Sequence, residues 1–182
     1  MRDYLTILNK AKAWVKEVGE FQLEGSADNN LTVNSKSSEY DLVTNIDTRS
    51  EQELIRRIKE EYPGHAILSE ESGFSNDVSE YLWIIDPLDG TVNYAHHYPV
   101  FCISLALQFH GEIVLGIVYA PALRELFEAV KGQGAYLNGA KIQVGKIDEL
   151  SKAILATGFP YDKATDRENN LNYFNHLVPR IN

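Results

Sequence analysis

Two aspartates, Asp86 and Asp89, stand three residues apart in the run Trp83-Ile84-Ile85-Asp86-Pro87-Leu88-Asp89-Gly90-Thr91-Val92-Asn93. An apolar strand leads into them, and a helix can begin just behind them near Thr91. Hard oxygen donors at that spacing suit Mg²⁺, which takes a few carboxylates and fills its remaining positions with water and substrate oxygens. Pro87 stiffens the turn and removes a competing N–H, which leaves the Leu88 carbonyl free to face the cation. Gly90 permits close backbone approach, and free N–H groups at a helix start favour a phosphate. The chemistry is metal-assisted hydrolysis of a phosphate ester, a reaction so slow in water that a catalyst must supply very large stabilisation. The bland reading of the same residues is a surface turn with an Asp helix cap.

Two further acidic clusters bear on that choice. Ser69-Glu70-Glu71-Ser72-Gly73 follows a short apolar run, and Asp41-Leu42-Val43-Thr44-Asn45-Ile46-Asp47 lies just ahead of a helix signal. Carboxylates gathered in one cleft repel one another unless a cation joins them, but spacing alone leaves their convergence open. Other residues read more plainly. His96-His97 reads as packing or hydrogen bonding, because Mg²⁺ prefers oxygen. Cys102, the only cysteine, sits in the apolar stretch Val100-Phe101-Cys102-Ile103 and reads as a buried, inert thiol. Gly132-Gln133-Gly134 lacks the third glycine and following helix of a dinucleotide loop, and reads as a turn.

The elements that must position these residues follow from periodicity. Tyr4, Leu8, Ala11, Val15 and Val18 recur at three- and four-residue spacing and predict a helix over 1–23. Leu31-Thr32-Val33 and residues 40–44 read as short strands. Thr48-Arg49-Ser50-Glu51 has capping-box form and predicts a second helix from Thr48, closed by Pro63-Gly64. Residues 66–68 and 81–85 read as buried strands. From Cys102 on, a meander is expected: strands over 103–109 and 113–119 joined at His110-Gly111-Glu112, a strand over 126–130, then a hairpin at Asn138-Gly139, whose central residues need positive φ. Residues 153–156 read as one more strand and 164–178 as a helix. Helices, then mostly antiparallel strands, then a helix argue for an α+β fold.

Bulk properties set the outer limits. The 182 residues suffice for one domain, and 44% hydrophobic with 24% charged content is that of a globular protein. A net charge of -9 with no basic block argues against nucleic acid as a partner. No uncharged apolar run reaches membrane-spanning length. The expectation is a soluble, cytoplasmic chain without an internal disulfide.

The signature from Trp83 to Tyr94, with Asp41-x-Val43-Thr44-x-x-Asp47 before it and Ser69-Glu70-Glu71 between, resembles the inositol monophosphatase family of Mg²⁺-dependent, lithium-sensitive phosphatases. Gly116-Ile117-Val118, Pro121, Gly132-Gln133-Gly134-Ala135 and Asn138-Gly139 fit as well, so the resemblance runs from about Leu5 to the end. It implies α-β-α-β-α layers, one domain over 1–182, with 1–145 as its N-terminal α+β part and 146–182 as the start of a second α/β part. It implies a first Mg²⁺ on Glu70, Asp86 and the Leu88 carbonyl, a second on Asp86 and Asp89, and two or three metal sites in the family. Asp89, Gly90, Thr91 and Lys36 would bind substrate phosphate, and Thr91, Asp47 and Glu70 would activate the attacking water. The family's later Trp-Asp-x-x-x-Gly motif has no counterpart, since Trp14 and Trp83 precede Val15 and Ile84. The resemblance therefore implies a C-terminally truncated chain whose second metal site is one ligand short. The expected substrate is a small phosphorylated polyol or sugar, inositol monophosphate first, with sugar bisphosphate, adenosine bisphosphate or NADP as alternatives. A homodimer is expected, and a non-catalytic metal- or phosphate-binding fragment is the competing class.

Overall fold

A computed structural model describes residues 3–27, 32–35, 42–75, 78–159, 166 and 169–181. The chain runs α1 (Tyr4–Ala27), β1 (Val33–Ser35), β2 (Leu42–Thr44), α2 (Asn45–Glu61), β3 (Ala66–Ser69), β4 (Gly73–Phe74), β5 (Tyr81–Asp89), α3 (Thr91–Ala95), β6 (Cys102–Phe109), β7 (Glu112–Ala120), β8 (Glu125–Val130), β9 (Gly134–Leu137), β10 (Ala140–Ile142) and α4 (Leu171–Leu177). Eight strands form one sheet in the order β10-β9-β8-β7-β6-β5-β3-β4, and β1 pairs with β2 apart from it. Among the described residues only β3 and β5 run parallel; the other pairs are antiparallel, as the meander predicts.

Helices α1 and α2 lie on one face of the sheet, α1 along β6, β7 and β8 and α2 along β5. The reason is the two periodicities. Leu8, Ala11, Val15 and Val18 make one stripe of α1, Leu54 and Ile58 make one of α2, and alternate strand residues Ile103, Leu105, Leu107, Leu115, Ile117 and Leu126 point back at them. Trp83 is fully buried at the helix end of this core, tilted against Trp14 at 6.0 Å between ring centroids. A smaller cluster of Ile46, Leu88, Tyr94 and Phe101 lies under the carboxylates.

The turns expected at His110-Gly111 and Asn138-Gly139 form with positive φ at all four residues (48°, 84°, 50° and 81°). Four expectations are corrected. The second helix starts at Asn45, capped by Thr44 with Asp47 as the box partner, because the Glu51 carboxylate is used elsewhere. The signature strand continues through Asp89 instead of ending at Ile85. Residues 153–156 form no strand, and Ile154 is 92% exposed with no neighbour to pair with among the described residues. The last helix is Leu171–Leu177 alone within the described part of 164–178.

Candidate active site

Strand register brings the first two carboxylates together. β3 and β5 pair in parallel with Ser69 opposite Ile85, and the Glu70 N–H donates to the Ile85 carbonyl at 3.1 Å. Glu70 therefore leaves β3 beside Asp86, the next residue along β5. Asp89 needs a further device. On a regular strand, residues three apart point to opposite faces. Here Asp86 pairs with Ser104 and Asp89 with Cys102, so β5 advances three residues while β6 advances two. The extra residue is a bulge, and it returns Asp89 to the cavity that Asp86 lines. Pro87 fits there, because a bulged position needs no ladder N–H.

The resulting cavity, about 260 Å³, is lined by Glu70, Asp86, Leu88, Asp89, Gly90 and Thr91, with Val92 and Asn93 completing its wall. Among the described residues no Lys, Arg or His lines it. Burial, then the charge and hydrogen bond of Glu70, and then the charge of Asp89 push the Asp86 carboxyl up to about 7. Its Oδ1 accepts the Leu88 N–H at 3.2 Å. Gly90 stands at φ +90°, and a Cβ there would lie 3.0 Å from the Val100 carbonyl oxygen. Only glycine turns the chain from β5 into α3 at that point without strain.

Asp47 and Thr91 meet in the opposite wall. The Thr91 hydroxyl lies 3.0 Å from Asp47 Oδ1 and 3.1 Å from the Leu88 carbonyl, and its one proton serves one acceptor at a time. Asp47 Oδ2 accepts the Thr44 N–H at 2.9 Å and the Thr44 hydroxyl at 2.5 Å. Burial lifts the Asp47 carboxyl above its ordinary value against the pull of the Thr44 and Thr91 bonds. Every group facing Asp47 is a donor, which suits the ionised form. With the Thr91 proton directed to Asp47, a lone pair of Thr91 Oγ1 and the Leu88 carbonyl both remain open to the cavity.

Of the residues singled out from the sequence, Glu70, Asp86, Leu88, Asp89, Gly90 and Thr91 share one cavity, and Asp47 backs it. Lys36 and Asp41 lie outside the described residues. Cys102 is half-buried instead of buried, because it sits on the sheet face away from the helices. Its Sγ lies 3.7 Å from Asp89 Oδ2, and burial followed by that carboxylate pushes the thiol up to about 12. His96 and His97 are exposed, and His97 Nδ1 lies 3.0 Å from the Ser26 carbonyl.

Two supporting residues escaped the sequence reading. The buried Glu51 carboxylate accepts the N–H groups of Glu71 at 3.2 Å and Ser72 at 3.0 Å, which fixes the loop that carries Glu70. Gln22 on α1 reaches the Pro87 carbonyl. For Glu51 a signal existed: Asp47, Ser50, Glu51, Leu54 and Ile58 share one side of α2, so the polar members stand on the buried stripe.

The donor set fits Mg²⁺ in kind: carboxylates and a carbonyl, with room for water and phosphate oxygens. Among the described residues no group of three or more acidic, histidine or cysteine side chains is placed to hold a metal ion by itself. The site is thus an open one, with a carboxylate pair and a carbonyl on one side.

A helix-backed mixed sheet with an acidic cavity at the ends of β3 and β5 defines an α+β protein of the layered sugar-phosphatase type. The chain belongs to the inositol monophosphatase family, which it matches over residues 3–180. It is 43% identical over 164 residues to an inositol monophosphatase of Dictyostelium discoideum, covering 86% of this chain and 58% of that protein. It superposes on the inositol monophosphatase of Anabaena (Nostoc) sp. PCC 7120 with a TM-score of 0.86 at 37% identity, covering 99% of this chain and 66% of the other. An IMPase/NADP phosphatase solved with Mg²⁺ and phosphate gives a TM-score of 0.83 at 26% identity, covering 99% and 66%. The chain thus spans well under two thirds of the length of the curated relative.

Proposed function

We infer that this chain carries the first metal site and the phosphate cradle of a Mg²⁺-dependent phosphomonoesterase acting on a small polyol phosphate, inositol monophosphate in the simplest case. The observation that carries the reading is the crowding of Glu70, Asp86 and Asp89 in a cavity whose lining, among the described residues, holds no basic side chain. A proton on Asp86 relieves that repulsion at low pH, and at neutral pH and above a cation does so, the same cation that a phosphate ester needs. When bound, Mg²⁺ neutralises phosphate charge and lowers the pKa of water. Glu70, Asp86 and the Leu88 carbonyl hold it, and Asp89 with Asp86 offers donors for a second. Gly90 leaves room for a phosphate oxygen. Thr91, whose hydroxyl donates to Asp47, would accept a hydrogen bond from the attacking water and orient it, and the proton that the water loses would pass through Thr91 to the Asp47 carboxylate.

The test is phosphate release from inositol 1-phosphate by the 182-residue chain, with Mg²⁺ varied and Li⁺ added. Mg²⁺-dependent release that falls with Li⁺ and disappears in Asp86→Asn is the expected result. Release that ignores Mg²⁺ or survives Asp86→Asn overturns the assignment. A panel containing a sugar bisphosphate, an adenosine bisphosphate and NADP then ranks the substrates. The second reading, a metal- and phosphate-binding module that works within an assembly or a homodimer, is favoured by the bare apolar face of the sheet. Under it, Mg²⁺ and phosphate bind but no ester is cleaved.

A further inference from the structure

Gln22 is fully buried near the end of α1, 65 residues from the carboxylate signature, and nothing in its local sequence calls for an amide. Its Nε2 donates to the Pro87 carbonyl at 2.8 Å and to Ser50 Oγ at 3.1 Å. Its Oε1 finds no donor among the described residues. The amide orientation is fixed by chemistry, since a carbonyl only accepts and the group facing Pro87 must be the NH₂. A buried amide with an unsatisfied oxygen costs stability, so its nitrogen must account for its presence.

That nitrogen holds one particular peptide group. The Pro87–Leu88 peptide presents its carbonyl to Gln22 and its N–H to Asp86 Oδ1 at 3.2 Å. The plane is therefore pinned at both ends, by Gln22 behind and by Asp86 in front. Turning it would break the bond that orients the Asp86 carboxylate and would swing the Leu88 carbonyl, which belongs to the next peptide. A donor on the carbonyl also polarises the same peptide's N–H and strengthens its bond to Asp86. The anchor itself is rigid. The Gln22 carbonyl accepts the hydroxyl of fully buried Tyr94 on α3 at 2.7 Å, and Gly25 one turn later lets Ile46 and that hydroxyl approach α1 closely.

We propose that Gln22 is a positioning residue for the cation: through the Pro87–Leu88 peptide it sets the Asp86 carboxylate and the Leu88 carbonyl for Mg²⁺. The proposal rests on the metal-site reading above and adds to it a donor outside all three acidic clusters. Gln22→Met keeps the length and removes both donated bonds. Ser50→Ala removes only the second partner of Nε2 and leaves the Pro87 bond in place.

The test is Mg²⁺ titration calorimetry on the wild-type chain, Gln22→Met and Ser50→Ala, with thermal unfolding of each in EDTA. Gln22→Met should bind Mg²⁺ about tenfold more weakly, the range for loss of a partner behind a metal ligand. Ser50→Ala should bind as the wild type does, whatever its unfolding temperature. Equal Mg²⁺ affinity in Gln22→Met and wild type overturns the proposal. So does an equal loss in Gln22→Met and Ser50→Ala, which is what a purely packing role produces. Absence of Mg²⁺ binding by the wild type defeats the metal-site reading itself. Gln22→Asn, too short to reach Pro87 but still polar, carries the same expectation should Gln22→Met not fold.

Discussion

Asp47 does two jobs with one carboxylate, and both show in its partners. Oδ2 closes the cap of α2 on Thr44, and Oδ1 faces the Thr91 hydroxyl. Burial raises its carboxyl and the Thr44 and Thr91 bonds oppose that rise. If Thr91 and Asp47 act as a unit, Thr91→Ala and Asp47→Asn should each lower kcat by about a hundredfold or more. The double variant should then be no worse than the poorer single one. Additive losses in steady-state kinetics would separate the two roles. Asp86 makes a different prediction, one of sign. Its folded pKa of about 7 lies above its ordinary value of 3.8. Between those limits the folded chain binds a proton that the unfolded chain does not, so stability falls as pH rises. In EDTA the Tm should therefore drop from pH 5 toward pH 8 more steeply in the wild type than in Asp86→Asn. Added Mg²⁺ should restore most at the alkaline end. Parallel Tm profiles for the two proteins would show that Asp86 carries no such penalty. His65 does not disturb the comparison. Its shift is downward, from burial, and is common to both proteins.

At the level of elements, the site depends on a bulge and a cap, and the sequence disclosed them unequally. The run from Asp86 to Gly90 was legible as a turn that gathers two carboxylates because its residue types are so constrained. That it lies inside a strand was not, since a bulge is set by pairing with Ser104 and Cys102, which no local pattern encodes. The meander and its two tight hairpins were legible because Asn-Gly and His-Gly carry the turn chemistry themselves. The start of α2 was misplaced for a reason: Thr48-Arg49-Ser50-Glu51 satisfies the capping pattern, and Thr44-Asn45-Ile46-Asp47 satisfies it with Asp in place of Glu. Tertiary demand decides between them, because Glu51 is taken by the Glu71 and Ser72 amides. Thr44 Oγ1 accepts the Ile46 N–H at 3.1 Å and the Asp47 N–H at 3.3 Å. Thr44→Val keeps the shape and deletes the cap, so it should cost about 1–2 kcal/mol in urea unfolding. Thr48→Val should cost far less, and equal urea midpoints for the two variants would return the cap to Thr48.

For the molecule as a whole, the telling fact is that both faces of the sheet are apolar. A sheet with one face in water alternates apolar and polar residues. Here the face away from α1 and α2 carries a cross-strand row, Ile84-Ala106-Gly116-Ala129-Ala135-Ile142, each residue paired with the next. Beside it Val118 stands opposite Phe127. Small residues in the row and larger ones at its ends and flank leave an open trough of about 380 Å³. Val118 is 38% exposed and Phe127 36%. Both are ordinary strand residues for a sheet buried on two sides, whereas the element order read from the sequence spoke only for an α+β fold and the stacked layers were expected from the family resemblance. A trough of this kind in water is a site for apolar dyes, as contiguous exposed patches are. The chain should therefore enhance anilinonaphthalene sulfonate fluorescence in its fully folded state. Val118→Lys together with Phe127→Lys should abolish most of that signal while leaving far-UV circular dichroism unchanged, because neither side chain contacts the α1–α2 core. Dye binding that survives both changes would place the exposed apolar surface elsewhere, in the stretch from Val144 to Leu155, where Val144, Ile147, Ile154 and Leu155 are exposed as well.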